Sequence, residues 1–538
     1  MFFKSLSANH LPYLLMICFF FFISWIAFGW SDIDILKSKS LNEYVFHTVL
    51  LNINESFHDN NLRQLFSFFF YLYGFPFFFL NYLIAFPFID SGSNLSVFLP
   101  RIISTISMFM TWHFLHKLLS LNKTELSIKY LILFLYILMP GIWLNAIQFH
   151  PDFLMAWMMM VSIYFLFISK FNFDNYFLLA VLFWSFAISI KFQALMLAPI
   201  FGWFFLHNIF TAIPKLEIIK QFLKMVSIIF ICYMFLNPYL IHPDGMMAWV
   251  DAFIFEFGQK STSNFNYLEK LQNTFLLFYT SKLIFIFILI LSIYLVLRDI
   301  FRLSFTFEGS ISFCYLTNLN LLVLFSNKLW HHYYLPLSLF LLILLGLQLK
   351  QVCNFINTSK LKYYLILFLL LISQIFANGN HLLLHVKARI SDDVVKYDNE
   401  NSSHLIRKDK ELENLILLQN ILETEIQKNS KIISSAYINL PLKRMGLSQL
   451  NNSLIYKDIN NIHFKELEKS SSNTNFIIVD VVRYVDSGLL TITNEDNNFE
   501  ISFKNKVFES NIKKYFIFKN IFYHKNLVIL QLERRAII

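Results

Sequence analysis

Hydrophobic residues fall in long blocks along this chain, and polar residues collect between the blocks. The apolar segments cover approximately 11–30, 67–89, 96–118, 128–147, 153–169, 176–190, 192–210, 222–238, 275–297, 308–326, 333–349 and 361–379. A helix needs about 20 mainly apolar residues to cross a bilayer. Most of these segments reach or approach that length. The pattern changes after Phe376-Ala377-Asn378-Gly379-Asn380, and residues 385–538 hold no further run of this kind.

Positive charge then decides which segments cross, because cytoplasmic loops concentrate Lys and Arg. With a cytoplasmic N-terminus, and with 67–89 not crossing, the inside loops carry Lys117, Lys123 and Lys129, then Lys170, then Lys215, Lys220 and Lys224. Arg298 and Arg302, and Lys350, Lys360 and Lys362, continue the series. The outside turns hold His150 and Asp152, the stretch from Asn237 to Asp251, and that from Asn327 to His332. The pattern predicts about eleven crossings. If 67–89 crossed, every later Lys-rich loop would face outward. Ser67–Ile89 is therefore expected at the outer interface, where Tyr71, Tyr73, Gly74, Pro76, Asn81 and Tyr82 suit an aromatic belt. Residues 31–95 become one long outer loop. Segments 176–190 and 192–210 are separate only if Lys191 marks a tight outer turn, and Pro199 is placed to kink the second of them.

The tail is expected outside. Lys408–Lys428 has helical spacing of Leu412, Leu415, Ile416, Ile421 and Leu422. Lys431–Ile438, Asn475–Val482, Leu489–Thr493 and Phe499–Phe503 read as strands, and Tyr515–Phe522 with Leu527–Leu532 as a hairpin across Tyr523-His524-Lys525-Asn526. The predicted organisation is an all-α polytopic membrane domain over 1–384 and a small extracytoplasmic α/β domain over 385–538.

Composition agrees. Of 538 residues, 57% are hydrophobic and 15% charged, where a soluble domain has about 25% charged. The mean hydropathy is +0.54. The net charge of +9 lies mostly in the short loops, so it is a topology signal and not a nucleic-acid footprint. The 65 Phe suit lipid-facing surfaces, where any large apolar residue serves. The four Cys lie in or beside apolar segments and none is in the tail, which leaves no readable disulfide framework or zinc motif. The first apolar run follows a single Lys4 and lacks a small-residue cleavage site, so it reads as an uncleaved first helix.

In this topology the chemically capable residues gather on the outer side. Asp32 and Asp34 close the first helix, in Trp30-Ser31-Asp32-Ile33-Asp34. Asp152 opens the fifth apolar segment after Gln148-Phe149-His150-Pro151. Lys191 sits at an outer turn, Asn237-Pro238-Tyr239 with His242-Pro243-Asp244 at the next, and Trp330-His331-His332-Tyr333-Tyr334 at the last. Acids and bases sharing one cleft at the lipid boundary can move a proton beside an anionic leaving group. Each also has a plain structural reading. An acid at a helix exit costs little, Asp152 can cap the next helix, Lys191 can snorkel, and the histidines can sit among aromatic anchors.

Over roughly residues 10–350 the chain resembles the GT-C glycosyltransferases. It resembles in particular the branch using polyprenyl-phosphate sugars, which includes protein O-mannosyltransferases and the transferases that put aminoarabinose on lipid A. Ser31–Asp34 looks like that family's first-loop acidic motif, Tyr73-Gly74-Phe75-Pro76-Phe77 like the aromatic segment late in the loop, and Pro100-Arg101-Ile102-Ile103-Ser104 like the Arg-containing start of its second spanning helix. Phe149–Leu154 matches its second outer acid, Ala187-Ile188-Ser189-Ile190-Lys191 its helix ending in Lys, and Asn237-Pro238-Tyr239 and His332-Tyr333-Tyr334-Leu335-Pro336 two further landmarks. Ile33 separates two acids that the family often has adjacent, which leaves either Asp32 or Asp34 as the base. The resemblance implies a multi-pass enzyme of the cell inner membrane. It would move a sugar from a polyprenyl-phosphate donor to an acceptor hydroxyl of an envelope lipid, glycan or protein, with inversion. Asp32 or Asp34 would be the general base, with Asp152 as a further catalytic acid that orients the base or acceptor or binds a divalent ion. Lys191, Arg101, His331, His332 and Tyr333 would bind the donor phosphate. No metal is required by this reading, though a divalent ion is compatible with it, and no nucleic acid partner is expected.

Rival readings are a flippase or transporter of lipid-linked sugars, an envelope glycan polymerase or ligase, and a membrane scaffold for the outer domain. A transporter would need polar residues deep within several helices, where this chain has almost only Phe, Leu and Ile apart from Lys191. No paired broken helices and no internal repeat favour it.

Overall fold

A computed structural model of the chain describes residues 10–31, 36, 40–61, 65, 73–211, 213–241, 243–258, 267–325, 331–355 and 360–390, together with strands in the tail. The chain divides into two compact units, one of residues 1–31 and 46–391, the other of residues 32–45 and 392–538. The last helix of the first unit runs to Ile390, beyond the boundary expected at 384.

The first unit is helical. Its elements are α1 (Leu11–Gly29), α2 (Leu41–His58), α3 (Phe75–Ile89), α4 (Leu95–Leu121), α5 (Leu126–Leu138), α6 (Pro140–Ala146), α7 (Asp152–Ser169) and α8 (Asn175–Ile190). They continue with α9 (Ala198–Ile209), α10 (Lys215–Leu236), α11 (Pro243–Gly258), α12 (Lys282–Arg302), α13 (Phe307–Phe325), α14 (Leu335–Phe355) and α15 (Lys360–Ile390). Among the described residues, 8 helices are long and apolar enough to cross a membrane, or up to 9 if the bent pair α5–α6 forms one span. The remaining expected crossings fall on α13 and on α8, which has only 16 residues.

Burial sorts these helices. The stretch His331–Leu349 is 94% buried, whereas Lys215–Leu236 is 11% buried; the first is central and the second peripheral. Helix α1 shows how an apolar sequence serves both environments: it buries Met16, Ile23 and Ala27 and exposes Phe21, Trp25 and Phe28. The α5–α6 pair bends by 63°. Pro140 begins α6 and carries no N–H, so the helical ladder breaks there. Trp143 Nε1 donates to the Ile137 carbonyl at 2.8 Å, which supplies a partner at the break.

Helix α3 has 15 residues and rises about 22 Å, short of the roughly 30 Å hydrocarbon core. The earlier part of Ser67–Ile89 lies outside the described residues up to Leu72. At the other short segment, α8 ends at Ile190 and Lys191 is extended (φ −153°, ψ 126°). A 3₁₀ turn over Phe192–Leu197 follows and then α9. Pro199 lies in the first turn of α9, so it starts that helix and does not kink it.

In the tail, strands β1 (Val394–Tyr397) and β2 (Ser403–Ile406) pair antiparallel. Strand β3 (Lys431–Ser434) pairs in parallel with β4 (Phe476–Val481). Strands β5 (Leu490–Glu495) and β6 (Asn498–Phe503) form a hairpin. Strands β7 (Phe516–His524) and β8 (Leu527–Arg534) form the terminal one, which joins β4 and β3 in a sheet of order β3-β4-β8-β7. The terminal turn is tighter than expected, since Tyr523 and His524 belong to β7 and pair with Val528 and Leu527. The helix expected over Lys408–Lys428 lies outside the described residues.

Candidate active site

Three helix ends converge because neighbouring spans run in alternate directions. Asp152 opens α7, Lys191 follows α8, and His332 lies in the 3₁₀ turn His331–Tyr334 just before α14. Lys191 Nζ donates to Asp152 Oδ1 at 2.6 Å. The side chains are 5% and 0% exposed, so the pair is held away from water. Asp152 Oδ2 lies against His150 Nδ1. Asp152 does not cap its own helix; Pro151 holds the N-cap position without a side-chain bond. The carboxylate is instead spent on the lysine and the histidine.

Rings wall this pair. Lys191 Nζ lies 5.3 Å from the Tyr73 ring centroid and 5.0 Å from that of Tyr333, within cation–π range. The His150 ring is 4.7 Å from that of His332 and packs on Tyr73 and Phe46 at 5.6 and 5.5 Å. His150 Nε2 is buried and has no hydrogen-bond partner among the described residues. His150, Asp152 and His332 each offer one ligating atom within 4.8 Å of the others, and all three residues are buried.

Backbone contacts fix the lysine. Tyr73 and Lys191 form an antiparallel bridge, and the Gly74 N–H donates to the Ile190 carbonyl at 2.9 Å. An orphan carbonyl at the end of α8 is thereby satisfied. The approach demands glycine: a Cβ on Gly74 would lie 1.5 Å from the Ser189 carbonyl oxygen and 2.8 Å from Asn237 Oδ1. Asn237 Oδ1 accepts the Phe75 N–H at 2.9 Å and caps α3 from across the chain. Its Nδ2 donates to the Tyr233 carbonyl at 3.1 Å. Ser185 and Ser189 turn their hydroxyls back onto Val181 and Ser185 carbonyls, which keeps this end of α8 slim.

A second layer holds the histidines. Ser104 Oγ donates to the His150 carbonyl at 3.3 Å. Tyr279 donates to the His331 carbonyl at 3.0 Å and accepts from Asn145 Nδ2 at 3.0 Å. Gln193 Nε2 donates to the Tyr333 carbonyl at 2.6 Å.

The structure thus brings together Asp152, Lys191, His332 and Tyr333 from the residues expected on sequence grounds. Asp32 and Asp34 lie outside the described residues. Arg101 Nη1 donates to Ser31 Oγ at 3.2 Å and to the Ala27 carbonyl at 3.4 Å, at the end of α1. His331 stacks on Phe278, with ring centroids 4.8 Å apart. The sequence does not decide between the two readings of His150, and the structure places it at the centre of the cluster. The available signal was its position two residues before an acid across a proline. Chemically, the cluster joins a cation, a carboxylate and two imidazoles in an enclosed volume, a set suited to binding an anionic group and moving a proton.

No protein-family profile matches the chain, and no curated protein matches it in sequence. Solved structures do resemble it. One is ArnT from Cupriavidus metallidurans bound to undecaprenyl phosphate, with TM-score 0.53 and 9% identity, over 96% of this chain and 97% of that one. Another is the same protein in the apo state, with TM-score 0.52 and 10% identity, over 98% of each chain. At such identity the likeness is one of architecture, and it extends over nearly the whole length: this chain shares the fold of ArnT.

Proposed function

We propose that this protein is a GT-C glycosyltransferase of the cell inner membrane that takes a sugar from a polyprenyl-phosphate donor. The observation that carries the reading is the buried Asp152–Lys191 pair with His150, His332, Tyr73 and Tyr333 around it, set in a fold shared with a protein bound to undecaprenyl phosphate. Lys191, His332 and Tyr333 form the surface that receives the donor phosphate, since phosphate favours charged hydrogen-bond donors. Arg101 and His331 serve as its further cationic donors. Asp32 or Asp34 serves as base on the acceptor hydroxyl of a lipid, glycan or protein, and attack from the far face inverts the anomeric carbon. Asp152 has both oxygens engaged, so it positions Lys191 and His150 and leaves the attacking hydroxyl to the first-loop acids. The tail lies outside the cytoplasm.

Replacing Asp32 and Asp34 by Asn, singly and together, tests the assignment. The readout is the envelope glycan profile by mass spectrometry, alongside membrane insertion. Loss of a glycan with normal insertion supports the enzyme; a double variant with an unchanged glycan profile excludes it.

A further inference from the structure

We infer that a groove between α8 and α10 binds an anionic phospholipid of the cytoplasmic leaflet. The two helices pack side by side. Their outer ends meet at Gly74, which approaches both the Ser189 carbonyl and Asn237. Away from that meeting point they leave a cavity of about 570 Å³, a size usual for a bound ligand. Leu178, Leu179 and Leu182 wall it from α8, and Ile228, Ile231 and Cys232 from α10. These walls are apolar, as a hydrocarbon chain requires. Asn175 stands at the lower end, about 24 Å along α8 from Lys191.

The chemistry changes where the groove ends. Ile231, Ile228, Lys224 and Lys220 recur at spacings of three and four, so they share one face of α10. Fourteen residues back from the contacts with Gly74, Asn175 and Leu223 stand level on their helices. Lys224 is therefore at the lower end of the groove, and Lys220 lies one turn beyond. Both lysines are exposed, and among the described residues neither takes part in an ion pair. The acids at these two helix starts are engaged: Glu217 accepts from Gln221 Nε2 at 2.7 Å, and Asp174 accepts the Phe177 N–H at 2.9 Å as the cap of α8. Two uncompensated cations below an apolar slot complement a phosphate head group whose acyl chain runs upward. The lysine-rich loops mark this end as cytoplasmic, and basic pockets between spanning helices on that side suit anionic head groups. Lipid reaches the groove directly, because Lys215–Leu236 is only 11% buried. A lipid seated there braces α10, whose other end supplies Asn237 to α3. Lys191, at the opposite end of α8, plays no part in this site.

The test uses the full-length protein in detergent, titrated with phosphatidylglycerol or with phosphatidylcholine. Retained lipid is counted by native mass spectrometry, and folding is followed by size exclusion. The expected result is one tightly held phosphatidylglycerol and no equivalent phosphatidylcholine. Lys220→Gln and Lys224→Gln are each expected to weaken retention roughly fivefold, about 1 kcal/mol for a cation near an anionic head group. Ile228→Trp fills the slot from α10 and Leu182→Trp from α8. Each is expected to abolish retention with both lysines in place, in protein that elutes as the wild type does. Equal retention of the two lipids overturns the site, as does unchanged retention in the double lysine variant or in both tryptophan variants. Undecaprenyl phosphate that displaces the phosphatidylglycerol would assign the slot to the donor chain and overturn the phospholipid.

Discussion

Lys191 and Asp152 are 39 residues apart in sequence, yet their charged atoms lie 2.6 Å apart inside the helical unit. Removing one partner of a buried ion pair strands the other charge, at a cost of about 3–5 kcal/mol. Asp152→Asn is expected to lower thermal stability in detergent by that order. Lys191→Met is expected to do the same. The double variant Asp152→Asn/Lys191→Met is expected to recover most of the loss and remain inactive. A double-mutant cycle of melting curves measures the coupling; additive losses would show that the two side chains act independently.

Gly74 carries a second prediction. A methyl there meets the Ser189 carbonyl oxygen at 1.5 Å, a backbone atom that cannot swing aside. Gly74→Ala is expected to cost about 1–3 kcal/mol by overpacking and to undock the Tyr73–Lys191 bridge. Limited proteolysis between residues 61 and 75 is the readout. Unchanged cleavage in the variant would remove the role given to the bridge.

The cap on α3 is separable from that packing. Asn237→Ala removes the acceptor for the Phe75 N–H, with an expected loss of about 0.5–2 kcal/mol. Asn237→Asp retains an acceptor and should lose less. Hydrogen exchange over residues 75–79 distinguishes the two, with faster exchange in the alanine variant alone.

His47 gives a pH dependence. It is buried against Ser96, with Nε2 and Oγ 2.9 Å apart, and burial pushes its imidazole down to about 4 from 6.5. An unfolded chain therefore binds more protons than the folded one between these values, so stability falls as pH drops from about 6.5 toward 4. Above 6.5 this group has no effect. At about 1.4 kcal/mol per pH unit the contribution is at most about 3.5 kcal/mol. Melting temperature measured against pH should show the slope, and His47→Gln should flatten it.

Helix α3 predicts a side of the membrane. Its 15 residues belong to the segment that the lysine-rich loops keep on the outer side, so a reporter inserted in the turn at Ser91–Ser93 is expected to give an outer-face signal. A cytoplasmic signal would reverse every later loop and separate Asp152 from the outer surface.

Much of the architecture was legible because lipid imposes a simple rule: long apolar stretches, with lysines on one side. The landmarks Tyr73-Gly74, Ile190-Lys191, Asn237-Pro238 and His332-Tyr333 were each visible in the sequence, and they meet in the structure. What could not be read was how they meet. That Gly74 exists for the Ser189 carbonyl, or that Asn237 caps a helix 162 residues earlier, depends on packing between distant segments, which leaves no local periodicity. His150 looked like any interface histidine because its partners lie in α7 and in the turn before α14. Pro199 differs for another reason: the apolar pattern runs unbroken from 192, but a 3₁₀ turn over Phe192–Leu197 delays the α-helix to Ala198, so the proline begins it.

The bridge between Tyr73 and Lys191 also sets a limit on transplanting parts between proteins of this architecture. A grafted first loop would arrive without the register that seats the lysine, and the recipient's lysine would lose its backbone anchor. Chimeras should therefore exchange residues 73–75 and 187–191 as a single unit, although more than a hundred residues separate them.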